Sequence, residues 1–169
     1  MDDHCAECGY DGRSLTVQQV ATALTALPTD IEALVRSAAD AALRTRPAPT
    51  TWSALEYLGH LRDLMAFHRY VIERALAEDA PTLELVDPDE FVTDAGYRDA
   101  DADELLAQFA RRVARLVTFV EGMDQGAFTR TFRFGDESLD LRLVVLSALH
   151  EGVHHRGDIE TVLADATSR

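Results

Sequence analysis

Trp52-Ser53-Ala54-Leu55-Glu56-Tyr57-Leu58-Gly59-His60-Leu61-Arg62-Asp63-Leu64-Met65 opens a run in which apolar residues return every three or four positions. Leu55, Leu58, Leu61 and Met65 lead on to Val71 and Leu76. That period belongs to an amphipathic helix, expected over about 53–78. Upstream, Val17, Val20, Ala21, Leu24 and Leu27 keep the same spacing as far as Pro28. There a new helix is expected, with Thr29 as N-cap and Glu32 completing a capping box, ended by Pro47 and Pro49. Downstream, 81–101 is acidic, holds Pro88 and Gly96, and reads as a long surface loop able to wall a pocket. A helix over about 101–123 follows, carrying Leu105, Phe109, Val113, Leu116 and Val120. Phe128 to Phe134 then alternates with period two before a Gly135-Asp136 turn, which predicts a short extended segment or hairpin. A last helix is expected over about 139–164. The fold class is therefore all-α, a four-helix bundle (16–169) behind a short N-terminal Cys-x-x-Cys segment (1–15). Metal and cofactor sites in bundles are built from side chains on facing helices.

Composition narrows the partners. The 169 residues carry 16 basic and 30 acidic groups, a formal charge of −14, with 47% hydrophobic residues. This is a globular composition and not that of a disordered acidic tail. A phosphate backbone needs clustered cations, so neither nucleic acid nor an anionic membrane surface is an expected partner. Arg111–Arg112, a close basic pair, falls in a helical pattern and reads as a solvated face. The acidic start is unlike a signal peptide, and the apolar run from Leu143 to Leu149 is far short of the ~20 residues of a membrane span. Cys5 and Cys8 are too close together to staple a fold, so a reducing, cytoplasmic setting is expected. All the basic residues are arginine, and asparagine is absent too, a composition suggestive of a high-GC bacterial genome.

The histidines carry the chemistry. His150 and His154 are four apart, about 40° around a helix and one turn along it, so both imidazoles point the same way. That spacing suits two ligands of one ion. His155 lies about 140° from His150 and reads as a half-buried histidine beside Val144, Ala148 and Ile159. His60 shares a face with Tyr57, Leu64 and Phe67. An unpaired polar group buried there would cost roughly 1–3 kcal/mol. It is either a core histidine bonded to a carbonyl or a third ligand opposite His150 and His154. His68 lies about 12 Å farther along the axis, too far to share that ion.

Cys5 and Cys8, followed by Gly9, make half of a zinc knuckle, which needs four ligands in all. Four readings stay open. They are a knuckle completed by His4, His68 or a second subunit, making a second metal site; a redox pair; incidental thiols; and thiols that reach the main site and ligate there.

The Trp52 to Asp63 stretch, together with His150-Glu151-Gly152-Val153-His154-His155-Arg156-Gly157-Asp158, resembles the DinB-like superfamily of bacterial four-helix metalloproteins over nearly the whole chain. The resemblance implies a divalent metal, zinc or nickel, held by His60, His150 and His154. The closing motif also allows His155 in place of His154; Glu151, four residues before His155, weighs against that alignment. Relatives include thiol-dependent transferases and isomerases such as the mycothiol-dependent maleylpyruvate isomerase. The resemblance thus implies a metal-activated thiolate attacking an electrophile, with mycothiol as the natural thiol of an actinobacterial cell. Arg62, Asp63, Glu56 and Arg156 are candidate supporting residues, and Trp52 is expected to cap the core. A pocket between the second and fourth core helices, closed by 81–101, would hold a small-molecule substrate and the thiol. The alternatives are a metal-dependent hydrolase with water as nucleophile, or a non-catalytic metal-binding bundle, with a homodimer compatible with any of them.

Overall fold

The computed structural model describes residues 3–84 and 86–167. Met1, Asp2, Leu85, Ser168 and Arg169 lie outside the described residues, and with them the outer ends of the two expected segments. Four long helices make the bundle: α1 (Val17–Ser37), α3 (Ala54–Ala77), α5 (Ala102–Glu121) and α6 (Leu141–Thr167). The short helices α2 (Asp40–Arg44) and α4 (Pro88–Ala95) lie between them. Helices α5 and α6 each pack against both α1 and α3, so α1 and α3 face each other across the bundle. The stripes read from the sequence form the core: Leu55, Leu58, Leu61, Met65, Phe109, Val113, Leu116 and Val144 are all at most 2% exposed. Among the described residues no helix is long and apolar enough to cross a membrane.

Three sequence expectations need correcting. Pro28 does not break the first helix, which runs through it from Val17 to Ser37. An interior proline costs about 3 kcal/mol. Here the stripes on its two sides are in phase, however, and Leu24, Leu27, Ile31 and Val35 are all buried on one face. Thr29 is accordingly inside the helix, and the working capping box is Thr16 with Gln19. The second expected helix is interrupted between Ser37 and Asp40, leaving α2 as a single short piece before Pro47. The third correction concerns 81–101, which is structured. Asp87 caps α4 by accepting from the amides of Asp89 and Glu90, Pro88 occupies its first turn, and Gly96 ends it in the left-handed conformation, φ 65°. Those are ordinary start and stop signals.

The expected hairpin is present. β2 (Thr131–Phe134) pairs antiparallel with β3 (Glu137–Asp140), and β1 (Thr82–Leu83) adds to β2 in parallel. Arg130 ties this small sheet to α3 by donating to the carbonyls of Ala75 and Glu78 at the end of that helix. β3 runs directly into α6, where Asp140 accepts from the Leu143 amide as a cap. Ser53 and Glu56 form the capping box of α3, and the Arg46 guanidinium pairs with the same Glu56 carboxylate at 2.6 Å. Glu56, a candidate supporting residue, is thus committed to holding the start of α3.

Gly59 sets how α3 meets the segment after α4. The Tyr97 ring lies flat on it, and an added Cβ would come within 2.3 Å of the ring. We expect Gly59→Ala to lower unfolding free energy by about 1–3 kcal/mol through overpacking. Gly122→Ala, where the nearest atoms are 3.5 Å away, should change it little. Chemical denaturation of both variants measures the difference.

Candidate metal centre

Helix α6 presents two histidine-bearing pairs at i, i+4 spacing, His150 with His154 and Glu151 with His155. One residue of offset turns the second pair about 100° around the axis from the first. The two pairs therefore serve different neighbours. Ligand atoms of His60, Glu151 and His155 lie within 4.8 Å of one another, and so do those of Cys5, Cys8, His150 and His154. The single cluster of His60, His150 and His154 expected from the sequence does not form. Position 151 is a glutamate, and that residue is the one that joins His155 in facing His60.

Around the first cluster the aromatic packing is dense. The Trp52 ring lies 4.9 Å from that of His60, and the Tyr57 ring 5.3 Å from that of His155. His60 and His155 meet edge to face at 5.2 Å. Trp52 therefore packs against the core and stands beside the histidines. The Asp158 carboxylate lies 2.7 Å from Nδ1 of His155, which leaves Nε2 facing Glu151 at 3.3 Å. A carboxylate on the far nitrogen orients an imidazole for a metal on the near one. No hydrogen bond reaches the His60 ring among the described residues, so both its nitrogens are uncommitted.

The electrostatics follow from this packing. Burial opposes charge on His60, His155 adds repulsion, and the His60 pKa falls to about 4. Burial also opposes charge on His155, but the hydrogen bonds to Asp158 and Glu151 outweigh it and raise its pKa to about 9. Glu151 shows the mirror effect: burial would raise its pKa, and the bond to His155 brings it down to about 2. Without metal the pair is an imidazolium and a carboxylate beside a neutral imidazole.

His60 and Glu151 also line a cavity of about 540 Å³ between α3 and α6. Leu64, Phe67, Val86, Phe91 and Phe134 make its apolar wall, and Val86 and Phe91 come from the 81–101 segment. Asp63, His68, Arg112 and Ser147 supply its polar lining. Asp63 is held by Arg62 at 2.7 Å, by Arg112 at 2.6 Å and by the Tyr97 hydroxyl. Arg62 stands behind it, bonded also to Gln108. Arg156 faces Glu160 on the surface, at 3.9 Å and with 41% of its side chain exposed. Reading the Arg111–Arg112 pair as a solvated face is half right: Arg111 is exposed, but Arg112 reaches inward to Asp63. His68 is buried and bonded through Nδ1 to the Leu64 carbonyl at 2.7 Å, and neither it nor His4 joins the cysteines. Read locally, Glu151 counts only against His155 as a ligand, and Arg112 only as part of a solvated face. The i, i+4 relation of Glu151 to His155 was the available signal for the first, and nothing local marked the second.

The family model described as the DinB superfamily matches residues 23–159. Four solved chains match the structure, among them two with the same fold over most of their length. YfiT from Bacillus subtilis, described as a probable metal-dependent hydrolase with an unusual four-helix bundle topology, superposes with a TM-score of 0.79. It is 20% identical, over 89% of each chain. A conserved protein from Enterococcus faecalis gives a TM-score of 0.70 at 16% identity, over 91% of this chain and 98% of that one. No curated protein matches the sequence.

The His155 pKa sets a pH dependence. A metal ligand must be the neutral imidazole, so an ion placed among His60, Glu151 and His155 at pH 7 would have to expel a proton from His155, whereas His60 has none to lose. In a variant with both cysteines replaced by serine, zinc affinity should rise about tenfold per pH unit between 7 and 8 and level off above about 9. Calorimetry in buffers of different ionisation enthalpy should count about one proton released at pH 7. Affinity that is flat over that range would contradict the charge state described.

Proposed function

Because this chain belongs to the DinB superfamily, we propose that it is a metal-dependent enzyme whose ion is held by His60, Glu151 and His155. The observation that carries this reading is that the three ligand groups converge beside a cavity large enough for a small substrate. The uncommitted His60 ring and the orientation of His155 by Asp158 are what a metal at this place requires. Two imidazoles and one carboxylate form a catalytic donor set that leaves a position open. Such an ion lowers the pKa of a bound thiol or water and so supplies a nucleophile at neutral pH.

The chain's own residues favour thiol transfer to a small electrophile that bears an acidic group. Apolar walls from Leu64, Phe67, Phe91 and Phe134 strip water from a thiolate and from the carbon it attacks. Arg112 bonds to Asp63 and to the Arg62 carbonyl through Nη1, and its remaining N–H groups are available to a substrate carboxylate. Asp63, fixed by its two arginines, holds Arg112 in place. Both cavity carboxylates are already engaged, Asp63 by the arginines and Glu151 by His155, so neither is free as a general base. Mycothiol remains the thiol of choice, and zinc or nickel the ion.

Hydrolysis is the second reading, supported by the two-histidine, one-glutamate donor set and by the description of YfiT. His68, in the lining of the same cavity, would then be the base, acting through an intervening water because it lies too far along α3 to touch the ion's own ligands. Its Nδ1–H donates to Leu64, burial holds its pKa below the usual histidine range, and its Nε2 remains an acceptor.

Metal-loaded protein incubated with carboxylate-bearing electrophiles, with and without mycothiol, separates the two. Turnover that needs the thiol and survives His68→Gln supports transfer; turnover with water alone that is lost in His68→Gln supports hydrolysis. In either case His60→Ala should lose the activity, and Arg112→Ala should raise KM by about tenfold or more, the worth of one charged hydrogen bond. Arg112→Ala should leave metal content unchanged. Full activity in His60→Ala would overturn the site.

A further inference from the structure

The N-terminal segment folds as a tight hairpin. His4 and Asp11 bridge antiparallel, and the Cys5 amide donates to the Tyr10 carbonyl at 2.9 Å. Gly9 takes φ 74°, a left-handed conformation that side chains rarely adopt. The turn aims backbone amides at sulfur: those of Glu7 and Cys8 reach Cys5, and that of Tyr10 reaches Cys8. Amides arranged in this way stabilise thiolates, the form of cysteine that binds metal. Both cysteines are free thiols.

The hairpin is seated on the face of α6 turned away from His60. The Tyr10 ring stacks on His150 with centroids 5.3 Å apart and an interplanar angle of 18°, and its hydroxyl donates to the Leu146 carbonyl at 3.0 Å. His150 is only 8% exposed, and neither of its ring nitrogens has a hydrogen-bond partner. Leaving a buried polar group unpaired is costly. Cys5 and Cys8 occupy the space beside it, and Nδ1 of His154 lies 3.8 Å from the Cys5 sulfur.

We propose that Cys5, Cys8, His150 and His154 form a second, closed metal site that takes zinc. Four protein ligands of the Cys₂His₂ type complete a tetrahedron and leave no position for substrate, which makes the site structural. Thiolate with imidazole selects zinc over magnesium, calcium or manganese. Each thiol gives its proton to solvent as its sulfur binds, so the two thiolates balance the charge of the ion. One of the two unpartnered His150 nitrogens is thereby accounted for, as a ligand. The ion would pin the hairpin of residues 3–11 to α6, on the same two helical turns that carry Glu151 and His155. Asp158 lies between the two clusters, 2.7 Å from His155 and 3.7 Å from His154. This site uses none of the three residues assigned to the catalytic ion and stands whether or not that assignment holds.

Cobalt(II) substitution of the full-length reduced protein tests the proposal, because only sulfur ligation gives intense thiolate-to-cobalt charge-transfer absorption. The wild type and His60→Ala should both show that absorption with a tetrahedral ligand-field spectrum. The Cys5→Ser/Cys8→Ser variant should lack it and bind one metal equivalent fewer than the wild type. His150→Ala should weaken zinc retention against a chelator by at least tenfold. Zinc should raise the melting temperature of His60→Ala and leave that of the double serine variant in a His60→Ala background unchanged. A wild-type cobalt complex without thiolate absorption, or equal metal content in wild type and double serine variant, would overturn the proposal. Loss of thiolate absorption in His60→Ala would do so as well. Absence of activity would bear only on the catalytic reading.

Discussion

Everything functional in this protein depends on how α6 is clamped between α1 and α3. Residues 150, 151, 154 and 155 sit on two adjacent turns, and a rotation of the helix by one residue would exchange the partners of the two pairs. Packing fixes that rotation. Val144, Leu146, Ala148 and Ile159 are all at most 1% exposed, and at Gly152 an added Cβ would come within 2.3 Å of Leu27. That close approach of α6 to α1 separates the two histidine faces, one turned to α3 and the cavity, the other to the N-terminal hairpin.

Polar groups follow the same constraint. A helix buried on two sides can carry charged or unpaired groups only where something answers them. Glu151 and His155 answer each other, Asp158 answers His155, and Asp63 is answered by Arg62, Arg112 and the Tyr97 hydroxyl. His60 and His150 have no hydrogen-bonding answer on either ring nitrogen among the described residues, and each points into a group of side chains able to hold a metal. The Tyr97 phenol also links cavity to fold, because its ring rests on Gly59 while its oxygen reaches Asp63.

Much of this was legible in the chain. Apolar spacing gave the four long helices, and Phe128 to Phe134 with Gly135-Asp136 gave the hairpin, because both signals are local and periodic. His60, the paired histidines of α6 and the cysteine knuckle were all recognisable as candidates for metal chemistry. Pro28 misled, because a proline's local cost says nothing of the packing on either side of it. The capping signals Asp87-Pro88 and Gly96 were present but hidden in an acidic, weakly periodic stretch.

The sequence by itself determined the bundle and its supply of ligands: imidazoles at His60, His150, His154 and His155, two thiols, and a glutamate beside them. Only the tertiary structure decided how those donors divide. His150 and His154 share a face with each other as their spacing demands, but which neighbour that face meets depends on the rotation of α6 against three other elements. That rotation is set by contacts such as Gly152 with Leu27, between residues 125 positions apart. No periodicity within a single helix carries that information.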